Sequence, residues 1–321
     1  MPDSQSMSEE RVASPQPIGA RLSSVALHLL LEAHRTWLKG LPGGVRASLN
    51  GSVLAEAALD NANLERADLT SANFIDACMS GANLSGACLQ YADLSNATLI
   101  DADLSRAELV DAKLECTLLG GANLSEARLL QAYLRGAKLQ QANMVEAKMD
   151  KCDFAQAVFR EARLLQAQAF DCNFAEANLE KANLYHSVFR CCKLAGISAA
   201  ESNWATATLQ NCEFRRADLT SAHFDRADLR QSSFWMATIA GGCFQNARLD
   251  GVEMESADLT GARFHGAATL IANFRGANLR AALGFTATQL NQARTDRDTT
   301  LPDGSHGPFI LGSGAHRPSR C

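Results

Sequence analysis

The sequence predicts an all-β solenoid, a narrow parallel β-helix with four short faces to each coil. Three observations lead there. From Leu49 to Leu279 a large apolar residue occupies every fifth position, giving 47 centres in one unbroken register in which only Ala169, Ala199 and Thr269 are not bulky. A small residue precedes nearly every centre by two places, as in Ala62-Asn-Leu-Glu-Arg66 and Ala277-Asn-Leu-Arg-Ala281. Matched residues also recur twenty apart: Cys152, Cys172, Cys192 and Cys212 form one column, and Asn63, Asn83, Asn123, Asn143, Asn183 and Asn203 another, with Asp103 and Arg163 in its gaps.

A five-residue step cannot hold one face of an α-helix, whose apolar stripe returns every 3.6 residues. The small residue and the centre are two apart, which is the strand period. Each repeat therefore reads in, out, in, out, out: a minimal strand and then a corner. Such units can bury their centres only by stacking into a solenoid. Twenty residues between matched side chains means four repeats per coil. Residues 49–283 then make about twelve coils, at about 4.8 Å each a rod of about 55 Å.

The flanks read differently. Residues 1–17 are polar and carry prolines, an expected disordered tail. Residues 18–48 form a helical cap and linker. Between Ala20 and Lys39 the residues Leu22, Val25, Ala26, Leu29, Leu30, Ala33 and Trp37 recur at helical spacing, and Pro42-Gly-Gly44 ends the run. A cap is needed because a first coil exposes unpaired backbone and open interior. At the far end, Thr286 and Gln289 have capping-box spacing and predict a short helix through Arg294, within a cap segment 284–298. Residues 299–321 read as a second disordered tail.

The Ala-(Asp/Asn)-Leu-x-x repeat resembles the pentapeptide-repeat family over residues 49–283. The flanks Leu31-Glu-Ala-His-Arg-Thr-Trp-Leu38, Gln289-Leu-Asn-Gln-Ala-Arg294 and Leu301-Pro-Asp-Gly304 are similar to segments bordering the repeats in bacterial members. The resemblance implies a right-handed quadrilateral β-helix. It also implies one specific activity, because some members bind type II topoisomerases by imitating DNA.

Composition excludes several classes. The net charge of −5 argues against direct nucleic-acid binding, which calls for a basic face. No segment approaches the length of a membrane span, and the apolar stretch Val25–Leu31 is too short and too charged at its flanks for a secretory signal, so a cytoplasmic bacterial protein is expected. There is no phosphate-cradling glycine loop, nucleophile elbow or His-Glu-x-x-His pair, and no catalytic, cofactor-binding or metal-ligating set is assigned. The cysteine column replaces the small inward residue and reads as core, since a free cysteine behaves as a small hydrophobe. A straight ladder of thiols does not converge as zinc requires.

What remains is surface. Residues 49–126 carry twelve acids against three bases, a net of −9, whereas residues 127–283 carry sixteen acids and eighteen bases. Outward apolar residues are more specific. Val145, Leu165 and Tyr185 share one slot on consecutive coils, and Leu130 and Phe170 stand on the next face, where Phe170 could instead fold into the space left by Ala169. Arg215 and Arg216 lie one coil before Trp235 and Met236, a spacing suited to a cation–π stack. A stacked apolar column is a candidate contact surface. The sequence therefore predicts a non-catalytic rigid scaffold for protein–protein contact, its partner another protein or a second copy of the chain. The alternative is a DNA-mimicking topoisomerase modulator. A carbohydrate-active β-helix enzyme is a remote third, because no insertion builds a groove.

Overall fold

A computed structural model describes residues 22–318. The expected N-terminal tail, residues 1–17, and the first residues of the cap segment lie outside the described residues. The repeats form a parallel β-solenoid in which each coil pairs with the next at a spacing of twenty residues, from Ser48 with Asp68 to Arg263 with Leu283. Most pairings are single-residue bridges. Only one face extends them into three-residue strands: β1 Arg128–Leu130, β2 Lys148–Asp150, β3 Gln168–Phe170, β4 Val188–Arg190 and β5 Thr208–Gln210, in parallel order β1-β2-β3-β4-β5.

The corners share one construction. At most of them the centre carbonyl accepts a turn hydrogen bond from the residue three places on, as from Ala67 N to Leu64 O at 3.0 Å; the corners that follow β1–β5 lack that bond. The second residue after each of the 47 centres has a left-handed backbone, φ near +57° at Arg66 and Asp76 alike. Positive φ at the third position makes these type II turns, the geometry that favours glycine there. Glycine fills some of these corners, but residues as unsuited as Thr206 and Ile271 fill others, with φ of 59° and 54°. Such conformations cost about 1–2 kcal/mol for a residue with a Cβ. They persist because each corner is bonded from the next coil: Leu64 N to Asn83 O at 2.7 Å, Arg66 N to Ser85 O at 2.8 Å and Asn83 N back to Ala62 O at 2.9 Å.

The slot before the centre supplies a side-chain ladder. The Asn123 carboxamide oxygen accepts from Ser125 N at 3.2 Å, closing the corner locally, while the Asn143 amide donates to that same oxygen at 2.9 Å from the coil above. Asn123 donates in turn to Asp103 at 3.0 Å, and Asn203 to Asn183 at 3.2 Å. The expected corner role of Asp and Asn is what the structure contains.

Inside, the centres and the small residues before them are buried almost without exception. Aromatic centres stack along the axis, Phe154 on Phe174 with centroids 4.8 Å apart and Phe214 on Phe234 at 4.7 Å. Ala169, Ala199 and Thr269 also face inward and are buried. Trp204 is wholly buried and packs edge-on against Phe189 and Phe214, with Phe224 stacked above. Its indole N–H donates to Ser202 Oγ at 2.7 Å, and that hydroxyl donates to the carbonyl of Ala199. The largest side chain is thereby tied to the smallest centre of its own coil.

The cysteine column is buried. Cys192 and Cys212 donate to the carbonyls of Ala169 and Phe189, both at 3.4 Å, and Cys152 donates to Leu129 O at 2.6 Å. Thr117 makes the same bond to Leu94 O at 2.8 Å. The slot therefore accepts small side chains, and several of its thiols and hydroxyls reach a carbonyl 23 residues back, whereas the Ser187 hydroxyl is buried there without a partner. Contact with the Cys172 thiol and then burial push the Cys152 and Cys192 thiols well above the usual range.

The N-terminal cap corrects the sequence reading. Helix α1 spans Ser24–Leu38, with Ser23 Oγ accepting from Ala26 N at 3.2 Å, and is shorter than the expected Ala20–Lys39. Val25 and Leu29, expected to face the coil, are 67% and 64% exposed. Leu22 and Leu30 pack on the core as expected, but Leu27 and Leu31 join them in place of Val25 and Leu29, and His34 is fully buried. The reason is polar. In later coils a carbonyl such as Ser85 O is met by a backbone N–H from the coil before, but Glu65 O has no preceding coil to meet it. His34 Nε2 donates to Glu65 O at 3.0 Å, while Ala47 N donates to His34 Nδ1 at 3.0 Å. One imidazole replaces a missing ladder bond at Glu65 O and a missing turn bond at Ala47 N, and unmet buried groups of this kind cost about 1–3 kcal/mol each. Trp37 stacks on His34, and Arg66 covers Trp37 at 5.0 Å.

The C-terminal cap is Ala287–Gln292, helix α2, with the capping box of Thr286 and Gln289 present. It stops short of Arg294, which returns to the ladder opposite Asn273. Residues 299–318 are also not the loose tail expected. Thr300 pairs with Asn278, Thr299 Oγ1 donates to Phe274 O at 3.1 Å, and Leu301 is buried. The segment supplies the ladder partners that the last coil lacks, a need invisible to local composition.

Three outcomes follow from this packing. Trp204→Ala should lower unfolding free energy by about 3–5 kcal/mol in denaturant titration, as large core truncations do. The thiols of Cys152, Cys172, Cys192 and Cys212 should resist alkylation in the folded rod and react on unfolding, with the fourfold alanine variant keeping the parent circular-dichroism spectrum. Burial, aided by the Arg46 charge and partly offset by Glu65, lowers the His34 pKa below 6.5. Unfolded chains then take up the proton first, so this stabilisation is complete above about pH 6.5 and is lost as pH falls toward the folded pKa. Amide protection factors in α1, taken relative to intrinsic exchange at each pH, should fall over that window in the parent, whereas His34→Phe should show low protection at every pH.

Candidate interaction surface

The outward side chains of a solenoid are placed by register alone, so identical slots on successive coils form straight columns. Asn143, Arg163 and Asn183 pair in that order along the ladder, which fixes Val145, Leu165 and Tyr185, two residues later, as one column on one face. Val145 and Leu165 are half-buried against their neighbours and Tyr185 is 43% exposed. The Tyr185 ring stacks on His186 with centroids 5.3 Å apart, and His186 Nδ1 lies 2.6 Å from Thr206 Oγ1. The backbone under the column is held by Asn143 and Asn183, whose oxygens accept from Val145 N at 3.4 Å and Tyr185 N at 3.2 Å. The apolar column therefore rides on a fixed frame.

Leu130 and Phe170 are not brought into that column. They stand round the corner at the ends of β1 and β3, in register with each other through Asp150. Leu130 is exposed and Phe170 half-buried at the outward end of its strand, with Ala169 inward beside it. Strand alternation places them so, because the inward position of β3 belongs to Ala169.

Arg215, Arg216, Trp235 and Met236 do meet. The two guanidinium carbons lie 5.2 and 5.3 Å from the centre of the Trp235 ring. A shallow cavity of about 350 Å³ opens beside the indole over Ala195 and Gly196, and a second of about 270 Å³, also lined by Trp235, is rimmed by Glu213, Glu253 and Glu255. Charges of both signs surround the ring. Met236 is exposed at the adjacent corner.

Sequence reading overlooked other outward apolar residues: Tyr91, Ile100, Leu118, Tyr133, Leu270, Ile271 and Leu283 are exposed. Their slots were legible, but most stand singly, which is ordinary for a protein surface. Among the described residues no group of histidines, cysteines and carboxylates could hold a metal ion, and no helix is long and apolar enough to cross a membrane.

The model of the pentapeptide repeats matches in eight copies between residues 47 and 268. Among solved structures the chain is similar to HetL, a pentapeptide repeat protein involved in heterocyst differentiation regulation in the cyanobacterium Nostoc, with 24% identity over 89% of this chain and 99% of that one, and a TM-score of 0.35. A second pentapeptide repeat protein from Nostoc is 36% identical over 36% of this chain and 83% of its own, with a TM-score of 0.29. QnrB1, a plasmid-mediated fluoroquinolone resistance protein, is 14% identical over 58% of this chain and 78% of its own, with a TM-score of 0.30. No curated protein matches. With its repeats matched over most of its length and stacked as a parallel solenoid, the chain belongs to the pentapeptide-repeat family.

Proposed function

We propose that this protein is a non-catalytic, rigid scaffold that works through protein–protein contact, with the column Val145, Leu165 and Tyr185 as its principal contact surface. One observation carries the reading. In a rod whose outward slots are mostly Ser, Asp, Arg, Gln and Ala, three large apolar groups stand in one slot on consecutive coils. Their outer surface gains nothing from the interior, so covering it is favourable at about 25 cal/mol per Å². Helix α1 packs at the first coil, and the segment after α2 bonds to the last one. Neither reaches this face through a hydrogen bond. The Arg215, Arg216, Trp235 and Met236 cluster provides a second, polar contact on the same rod.

A second reading, a DNA-mimicking modulator of a type II topoisomerase, draws on the acidic first coils. Those acids lie on all four faces. Several are also neutralised between coils, Glu126 by Arg106 at 3.0 Å, Glu108 by Arg128 at 3.1 Å and Asp93 by Lys113 at 3.6 Å. A distributed, partly paired set makes a weaker imitation of a phosphate backbone than a stripe would, and we favour the scaffold.

Leu165→Asp places a charge at the centre of the column without entering the core. It should keep the circular-dichroism spectrum and melting temperature of the parent while removing its partner in pull-downs and size-exclusion profiles. Identical profiles for parent and variant would remove the column from consideration.

A further inference from the structure

We infer that the occupant of this column is a second copy of the same chain, lying alongside the first about a two-fold axis parallel to the rods. The inference rests on the scaffold reading and names its partner. It is carried by the charges that border the column.

On one side stands Arg163, exposed, in the slot that asparagine fills on the coils before and after it. Arg163 interrupts the carboxamide ladder: Asn143 donates to Asn123, and Asn203 to Asn183, but no side-chain bond joins the rungs across residue 163. On the other side, at the corner and one coil lower, stands Glu146, also exposed. Neither side chain has a hydrogen bond or ion pair among the described residues, although the rod pairs many comparable charges between coils, as at Arg106–Glu126 and Lys181–Glu201. Two opposite charges flank the apolar column, one on each side, and both lack partners.

That arrangement is self-complementary in one orientation. Rotation about an axis parallel to the rod, passing over the column, sets Val145, Leu165 and Tyr185 against their own counterparts. It also exchanges the two flanks, so Arg163 of each copy faces the partner's corner side. The remaining offset to Glu146 is one coil, about 4.8 Å, within the reach of an arginine side chain. Symmetry then forms the contact twice, as an isologous interface requires. The antiparallel alternative sets Arg163 against Arg163 and is opposed by like charge. Three coils give a small patch, below the roughly 1,200 Å² of stable complexes, so the dimer is a weak, concentration-dependent one.

Charge exchange tests the geometry. Sedimentation velocity of the full chain should show the 34.4 kDa monomer passing to twice that mass as concentration rises toward about 100 µM. Arg163→Glu alone and Glu146→Arg alone should each weaken dimerisation at least about tenfold, while an equimolar mixture of the two variants should recover it, because both contacts are again complementary in the mixed dimer. Leu165→Asp should abolish dimers in every combination. Circular dichroism confirms that each variant is folded. A parent that stays monomeric throughout, or single variants that dimerise like the parent, or a mixture no better than its components, would overturn the inference. If the parent stays monomeric yet loses a foreign partner on Leu165→Asp, the scaffold reading stands and only the second copy is refuted.

Discussion

The structure depends on one constraint, a backbone corner with a left-handed residue every fifth position. One such corner in isolation is unfavourable for any residue carrying a Cβ. It becomes stable when the coils on both sides bond to it, as at Arg106, where the Leu104 and Arg106 amides donate to Asn123 and Ser125 of the next coil and Ser105 O accepts from Gly86 N of the coil before. Local strain and long-range pairing therefore require each other. A short piece of the rod would retain the strain with only part of the compensation, which is why repeat proteins gain stability by stacking.

The same constraint explains the composition. A narrow square interior admits one large centre and one small residue per face, so Leu, Phe and Ala dominate and Trp204 is accommodated only beside the alanine centre of its own coil. Several polar residues in the small slot reach a carbonyl, as Thr117, Cys192 and Cys212 do. Asn and Asp before the centre satisfy two needs at once, closing the corner beneath and linking to the next coil. Arg163 gives up that second role, and the loss marks the face on which the apolar column stands.

The two ends solve a problem the repeats never meet. An interior coil receives its partners from both sides, whereas a terminal coil must borrow them. At the start the loan is a side chain, the His34 imidazole acting as donor and acceptor between α1 and the first coil. At the finish it is backbone, from Arg294 and Thr300, with Phe285 stacked on Phe264 at 4.3 Å to close the interior. The caps differ in kind because the two edges are sealed by different segments.

The fold was legible in the sequence because its period is exact and uninterrupted. Centres from Leu49 to Leu279, the column of Cys152 to Cys212 and the capping box at Thr286 and Gln289 all follow from spacing alone, and so does the alignment of Val145, Leu165 and Tyr185. Tertiary structure decided what spacing could not reach. Helical periodicity said that α1 was amphipathic but chose Val25 and Leu29 for a face that the unmet Glu65 carbonyl and Ala47 amide assigned to Leu27, Leu31 and His34. Composition marked residues 299–318 as tail, whereas the open edge of the last coil drew Thr299, Thr300 and Leu301 into order. A repeat carries its own instructions in every copy; an end is specified only by the backbone groups left without a partner, and those exist only once the coils have stacked.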